Sequence, residues 1–196
     1  MKEIRKIVIA PDSFKGTMEA SQVCQIIQGS ARQYFPDAAV RCIPMADGGE
    51  GMVDAYLKLL GGRKVLLSVQ GLQGRPVACY YGILPDGTAV MEMAACAGLP
   101  LLDGALDPMH TTTYGVGEML LHAEHNGVRR VLLGIGGSAT VDCGLGMAAA
   151  LGYRFLNKDG AAVEAVTCHM AEIAAIVPPA RKPALDIIAA CDVDKP

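Results

Sequence analysis

A chain of 196 residues, 52% hydrophobic and 19% charged, is long enough for one domain or one and a half and has ample apolar material for a core. Its net charge of −3 leaves no basic footprint for nucleic acid or an anionic membrane surface, and no apolar run nears the roughly 20 residues of a membrane span. The start, MKEIRKIVIAPDS, breaks off at a proline before any secretory h-region develops, and the seven scattered cysteines form no Cys-x-x-Cys pair, so they are read as reduced and mostly buried in a cytoplasmic protein.

In chain order, KIVIA (Lys6 to Ala10) is expected as a buried strand ended by Pro11. Thr17 can cap a helix reaching about Tyr34, with Val23, Ile26, Ile27, Ala31 and Tyr34 on one face. After Pro36-Asp37, AVRCI (Ala39 to Ile43) returns as a strand, and a second helix is expected from about Glu50 to Leu60, stopped by Gly61-Gly62. Strand-helix-strand-helix is the rhythm of a parallel sheet with crossover helices, so residues 1–62 are read as a Rossmann-like α/β part. The rhythm then changes. KVLLSV (Lys64 to Val69), VACYYGI (Val77 to Ile83) and TAVMEMA (Thr88 to Ala94) are strands with short turns, Pro85-Asp86-Gly87 among them, and form a β-meander that opens a second α/β domain over 63–196. A helix from Tyr114 to Asn126, a strand from Arg130 to Leu133, a glycine-rich segment and a helix to Leu151 come next. YRFLNKDG reads as a strand and turn, and DIIAAC (Asp186 to Cys191) as a buried strand.

The glycine-rich segment, LLGIGGSATVDCGLGMAAALG (Leu132 to Gly152), implies that something approaches its backbone closely. Leaving a strand and entering a helix, it can present N–H groups to a phosphate or carboxylate; the plainer alternative is tight packing of helix on strand. Gly134, Gly136 and Ala139 satisfy the dinucleotide pattern G-x-G-x-x-A, but Asp159, in a turn, is a poor partner acid, and no G-K-[ST] marks a Walker loop. Ser138 and Thr140 favour anion binding. Asp142, near the helix start, either complements the helix dipole or holds magnesium and takes a proton from an attacking hydroxyl. In APDSFKGT, Ser13 and Lys15 sit beyond the first strand, where ligands of open parallel sheets bind; a solvated turn lysine is the alternative. In PMADGGEG, Asp47 and Glu50 flank Gly48-Gly49 and suit magnesium, or else form a turn with a capping acid. CDVD, with Asp192, is a third acidic strand end. His122, His125 and Glu118 share a helix face that is read as solvated rather than metal-binding.

KIVIAPDSFKGTMEASQV, FPDAAVRCIPMADGGEG, AVMEMAACAGL, TTTYGVGEML, LGIGGSATVDCGLGMAAALG and ACDVDKP together resemble, in order and from end to end, the bacterial glycerate kinases of the glycerate/galactarate degradation type. The resemblance implies a two-domain α/β architecture and transfer of phosphate from ATP to D-glycerate at the 2-hydroxyl, without a Walker loop; Mg2+ as cofactor and assembly as a homodimer are expected beside it. The reading of the residues themselves adds expected roles: Gly136, Gly137, Ser138 and Thr140 in phosphate contacts, Asp47 and Asp192 on magnesium, Lys15 with Ser13 on the glycerate carboxylate or the moving phosphoryl group, Gly48, Gly49 and Glu50 on substrate, and Asp142 as base. Which loop serves ATP and which glycerate is open. The chain departs from the family pattern where Asn-Asp-Gly-Gly is usual, having Val141 and Cys143 about Asp142, and the family's chains are roughly twice as long. Phosphorylation to 3-phosphoglycerate, a dinucleotide-dependent oxidoreductase using Gly134 to Ala139, and a truncated, non-catalytic binding module are the competing readings.

Overall fold

The computed structural model describes residues 4–14, 17–104 and 106–191. Lys15 and Asp192, both expected in the site, therefore lie outside the described residues. Strand β1 (Lys6–Ile9) and strand β2 (Ala39–Cys42) pair in parallel, Lys6 opposite Ala39 and Ile9 opposite Cys42, with helix α1 (Ala20–Tyr34) as the crossover. The helix starts later than Thr17 suggests. Glu19 occupies the capping position, its N–H donating to the Gln22 side chain at 3.0 Å, while Thr17 is spent in a turn whose N–H donates to the Phe14 carbonyl. The expected apolar face is also corrected. Val23 is buried with Cys24 and Ile9, but Ile26, Ile27 and Tyr34 are exposed, and so is Val8 of the strand expected to be buried. Two short strands offer α1 only a narrow strip to cover.

Helix α2 (Met52–Leu60) ends at Gly61, whose φ of +78° is the left-handed stop that glycine permits. It leaves the β1–β2 layer. Met52 and Val53 are buried with Leu84 and Val90, side chains of the next sheet region, so the break near residue 62 does not separate α2 from that sheet.

Strands β3 (Arg63–Gln70), β4 (Pro76–Ile83) and β5 (Ala89–Glu92) form the expected antiparallel meander. At the 85–87 turn Gly87 takes φ +84° and Asp86 accepts the Thr88 N–H at 2.9 Å. The meander is not a separate sheet: β5 runs parallel to β6 (Arg130–Gly134), and β6 parallel to β10 (Asp186–Ala190), giving the order β10-β6-β5-β4-β3. Helices α3 (Ala94–Ala97), α4 (Tyr114–His125) and α5 (Leu145–Ala150) accompany this sheet, and its core gathers Val69, Tyr81, Met91, Val116, Met119, Leu120, Val131 and Leu133. A small antiparallel sheet of β7 (Arg154–Leu156), β8 (Ala162–Val163) and β9 (Ala175–Val177) comes after α5. β10 lies at the sheet edge with Ile187 and Ile188 exposed, contrary to the buried strand its sequence suggests. Among the described residues no helix is long and apolar enough to cross a membrane.

Glu124 of α4 ties down the segment before β10. It is buried, accepts the Ala184 N–H at 2.9 Å and pairs with Arg181 at 2.9 Å. The Ala184 amide, then Arg181, hold its carboxyl below the ordinary 4.5. A depressed folded-state pKa stabilises the fold above the unfolded value, and that contribution disappears as pH falls through the folded value. Glu124→Gln is accordingly expected to flatten the loss of stability below about pH 4.5, measured as urea midpoints across pH 3–6; an unchanged acid limb would remove Glu124 from this role.

Candidate active site

A second glycine loop is what approaches the glycine-rich backbone. Gly136 N–H donates to the Gly48 carbonyl at 3.0 Å, a Cβ on Gly136 would stand 2.9 Å from the Gly49 nitrogen, and a Cβ on Gly134 would overlap the Gly48 carbonyl oxygen. Gly48, at φ +88°, is itself closed in by the Ala190 carbonyl, 2.7 Å from where its Cβ would be, and that carbonyl also accepts the Ile135 N–H at 3.2 Å. Side chains at these positions would drive the loops apart, which is the physical reason for glycine in both. The carboxyl ends of β5, β6 and β10 thus meet the loop that follows β2. The Met45 N–H donating to the Pro11 carbonyl at 2.9 Å ties in the segment after β1.

Beside this junction opens a cavity of about 740 Å³, bordered by Ser13, Met18, Glu50, Asp54, Tyr80 and Glu92. Glu50 is exposed, and its Cγ lies 4.0 Å from the Cβ position of Gly137, itself exposed in left-handed backbone at φ +71°. Asp47 turns back on its own loop, one carboxylate oxygen accepting the Gly49 N–H at 2.9 Å. Asp54 is paired with Lys64 at 2.7 Å and accepts the Tyr80 hydroxyl at 3.2 Å. The structure therefore brings together Ser13, Asp47, Gly48, Gly49, Glu50, Gly136 and Gly137. Ser138 and Thr140 are partly set aside: their hydroxyls bond each other at 2.7 Å, and the segment is strapped to the α3 end by Ala139 N–H to the Ala97 carbonyl, 2.8 Å.

Asp142 does not fit the expected base. It is 1% exposed, and its two oxygens accept Thr113 N–H and Oγ1–H at 2.8 Å each, Gly146 N–H at 3.0 Å and Gly144 N–H at 3.1 Å. Thr113 Oγ1 in turn accepts the Met147 N–H at 2.9 Å. The N-terminal amides of α5, expected to face a phosphate, are thus occupied by the protein's own carboxylate and hydroxyl, and the helix-dipole reading prevails. The carboxylate joins α5 to the start of α4, where Gly146 and Gly117 keep the crossing close: a Cβ on Gly146 would stand 2.7 Å from the Tyr114 nitrogen, and one on Gly117 2.6 Å from the Ala150 Cβ.

Cys143 next to it carries φ +51°, a left-handed backbone that a side chain tolerates poorly. Cys143→Gly is expected to raise stability by about 0.5–1 kcal/mol, strain relief outweighing the added chain entropy; a lower urea midpoint would contradict this.

Thr113 and Glu92 are not singled out by the sequence: Thr113 holds Asp142 at the α4–α5 crossing, and Glu92 stands at the junction. Glu92, at the end of β5, is buried, and its Oε1 accepts the Val53 N–H at 2.7 Å. Burial raises its pKa, while the Val53 and Gly51 amides pull the other way. The histidine reading is refined: His122 Nδ1 shares a hydrogen bond with the Tyr81 hydroxyl at 3.0 Å and Glu118 accepts the Gln70 N–H at 2.6 Å, so this face serves packing. Cys24, Cys42, Cys79, Cys96, Cys143 and Cys168 are free thiols. Cys24, Cys79 and Cys96 are buried, burial pushing Cys79 to about 11 and Cys96 to about 12, whereas Cys143 and Cys191 are exposed. Among the described residues no three metal-binding side chains converge. Magnesium keeps waters and phosphate oxygens in its shell and asks few protein carboxylates.

An α/β sheet with glycine loops joined at its strand carboxyl ends, and no Walker lysine, defines a ligand-handling protein outside the P-loop class. The chain belongs to the glycerate kinase family, whose profile matches residues 7–196. It is 40% identical over 196 residues to the glycerate kinase of Bacillus subtilis (strain 168), covering 97% of this chain and 51% of that protein. It is 45% identical over 157 residues to the glycerate 2-kinase of Escherichia coli (strain K12), 79% of this chain and 41% of that protein. A crystal structure from Salmonella typhimurium LT2 designated glycerate kinase 2 superimposes with a TM-score of 0.80 at 39% identity, covering 98% of this chain and 53% of that one. The chain spans about half the length of the curated relatives it matches. Family membership sets the oxidoreductase reading aside, and the geometry agrees: Gly134 and Gly136 are consumed in contact with Gly48 and Gly49, and α5 begins only at Leu145.

Proposed function

We propose that this chain carries the site loops of a cytoplasmic enzyme that transfers the terminal phosphoryl group of ATP to D-glycerate, giving 2-phospho-D-glycerate. The observation that carries this reading is the backbone junction of Gly48-Gly49 with Gly134–Gly136 beside a cavity bordered by Ser13 and Glu50. Phosphoryl transfer asks for positioning and charge neutralisation more than covalent chemistry, and a rigid junction with an open polar rim suits it. In this reading the Gly137 amide and the Ser138–Thr140 hydroxyl pair contact phosphate, and Ser13 and Lys15 hold the glycerate carboxylate or the moving phosphoryl group. Asp47 and Asp192 hold magnesium, which when bound neutralises charge on the transferred phosphate. With Asp142 enclosed, Glu50 is the carboxylate placed to accept the proton of the glycerate hydroxyl. The name of the Escherichia coli relative supports the 2-position as acceptor.

The test is MgATP with D-glycerate, with ADP release and 31P NMR of the product as readouts. The full gene product is expected to turn over and to give the 2-phosphate; a 3-phosphate signal would correct the regiochemistry, and no glycerate-dependent ADP release would overturn the reading. The 196 residues alone are expected to give no turnover and to be poorly soluble, because Val8, Ile26, Ile27, Tyr34, Phe35, Ile187 and Ile188 are exposed. A soluble, active 196-residue chain would show those faces need no cover.

A further inference from the structure

Helix α2 carries the Asp47–Glu50 loop on its N-terminal end, and that end has no cap of its own. Gly51, at the capping position, has no side chain and sits at φ +88°. The amide left over in the first turn is taken by a residue from elsewhere: Glu92 Oε1 accepts the Val53 N–H at 2.7 Å across 39 residues of chain, and the Glu92 side chain is only 7% exposed. Glu92 closes β5 and stands opposite Gly134 in the β5–β6 register; the next residue, Met93, donates its N–H to the Gly134 carbonyl at 2.8 Å. Gly134 is the residue whose missing side chain makes room for the Gly48 carbonyl. One carboxylate therefore links the start of α2 to the strand pair that carries the opposite loop. Burying a charge is a costly way to hold a helix, and Met52 and Val53 already pack with Leu84 and Val90. The carboxylate adds a fixed register for the first turn.

We propose that Glu92 is a positioning residue of the phosphoryl-transfer site: through the Val53 amide it fixes the first turn of α2, and so sets the Asp47–Glu50 loop against Gly134–Gly137. This role rests on the proposed glycerate phosphorylation. Glu92 borders the cavity but acts through backbone, not by touching substrate.

Two substitutions separate reach from charge. Glu92→Gln keeps an oxygen at hydrogen-bonding distance from the Val53 N–H; Glu92→Asp keeps the charge and withdraws it by one methylene. Both are made in the full gene product. Hydrogen exchange, read by mass spectrometry of peptides spanning Val53, is expected to be about tenfold faster in Glu92→Asp and near wild type in Glu92→Gln. Glycerate-dependent kcat is expected to fall about tenfold in Glu92→Asp with KM for ATP and glycerate little changed, and to stay within about threefold in Glu92→Gln. Equal loss of kcat in both variants with Val53 still protected would overturn the proposal, since the charge would then act on ligand directly. Wild-type kcat in Glu92→Asp would overturn it as well, whether or not exchange is faster. If the wild-type enzyme shows no glycerate-dependent turnover, the functional reading fails, and Val53 exchange still decides whether Glu92 holds α2.

Discussion

Asp142→Ala is expected to destabilise the fold by about 3–5 kcal/mol, a large part of the roughly 5–15 kcal/mol available to an ordinary domain. The substitution leaves Thr113 N–H, Thr113 Oγ1–H, Gly144 N–H and Gly146 N–H without their acceptor in a site that is 1% exposed. Each buried orphan costs about 1–3 kcal/mol, and some relaxation of the short helix recovers part of the sum. Asp142→Asn should also be costly, because an amide NH2 must face donors wherever it turns. The measurement is the urea midpoint at constant m, together with activity per folded molecule. A structural Asp142 lowers the midpoint while Asp142→Asn that remains folded keeps most of its kcat. A catalytic base would lose about 100-fold or more in kcat with the midpoint unmoved, and that pattern would contradict the assignment.

Gly134→Ala is expected to remove glycerate phosphorylation almost entirely. The new methyl group would overlap the Gly48 carbonyl oxygen and stand 2.9 Å from the Gly48 carbonyl carbon, backbone atoms that no rotamer change can move aside. Relief requires the two loops to separate, and a displacement near 1 Å at a reacting centre is enough for about 100-fold in rate. Overpacking is also expected to lower stability by about 1–3 kcal/mol. Gly160→Ala provides the contrast: that glycine, unlike Gly134, has positive φ, but no atom lies within 4 Å of its Cβ position, so backbone strain acts without a clash and activity should persist. Equal activity in both variants would show that the junction does not matter for the reaction.

The local parts of the fold are legible in the sequence, and the long-range parts are not. Short strand-type runs and the Pro85-Asp86-Gly87 turn place the meander, and Gly61 places the end of α2, because each depends on neighbours a few residues away. The glycine-rich segment announces a close approach but not to what: a ligand and the Gly48-Gly49 backbone demand the same absence of side chains. Asp142 beside a helix start is compatible with a base and with a cap, and its enclosure by Thr113, 29 residues earlier, together with the Gly144 and Gly146 amides, decides between them. Glu92 sits within an apolar run, AVMEMA, and its partner Val53 is 39 residues away, so periodicity carries no sign of the pairing. The apolar face of α1 is visible in its spacing, but amphipathicity reports which side seeks cover and not whether the described strands supply it.

The central claim concerns where the ligands lie. A crystal structure of the full gene product with a non-hydrolysable ATP analogue, magnesium and D-glycerate measures this. The expected result places the terminal phosphate and the glycerate 2-hydroxyl together at the junction, within hydrogen-bonding reach of the Gly137 amide and of Ser13 or Glu50, with Asp142 still enclosed by Thr113, Gly144 and Gly146. Ligands bound away from the Gly48–Gly136 contact, or a phosphate displacing Asp142 from the α5 amides, would contradict it.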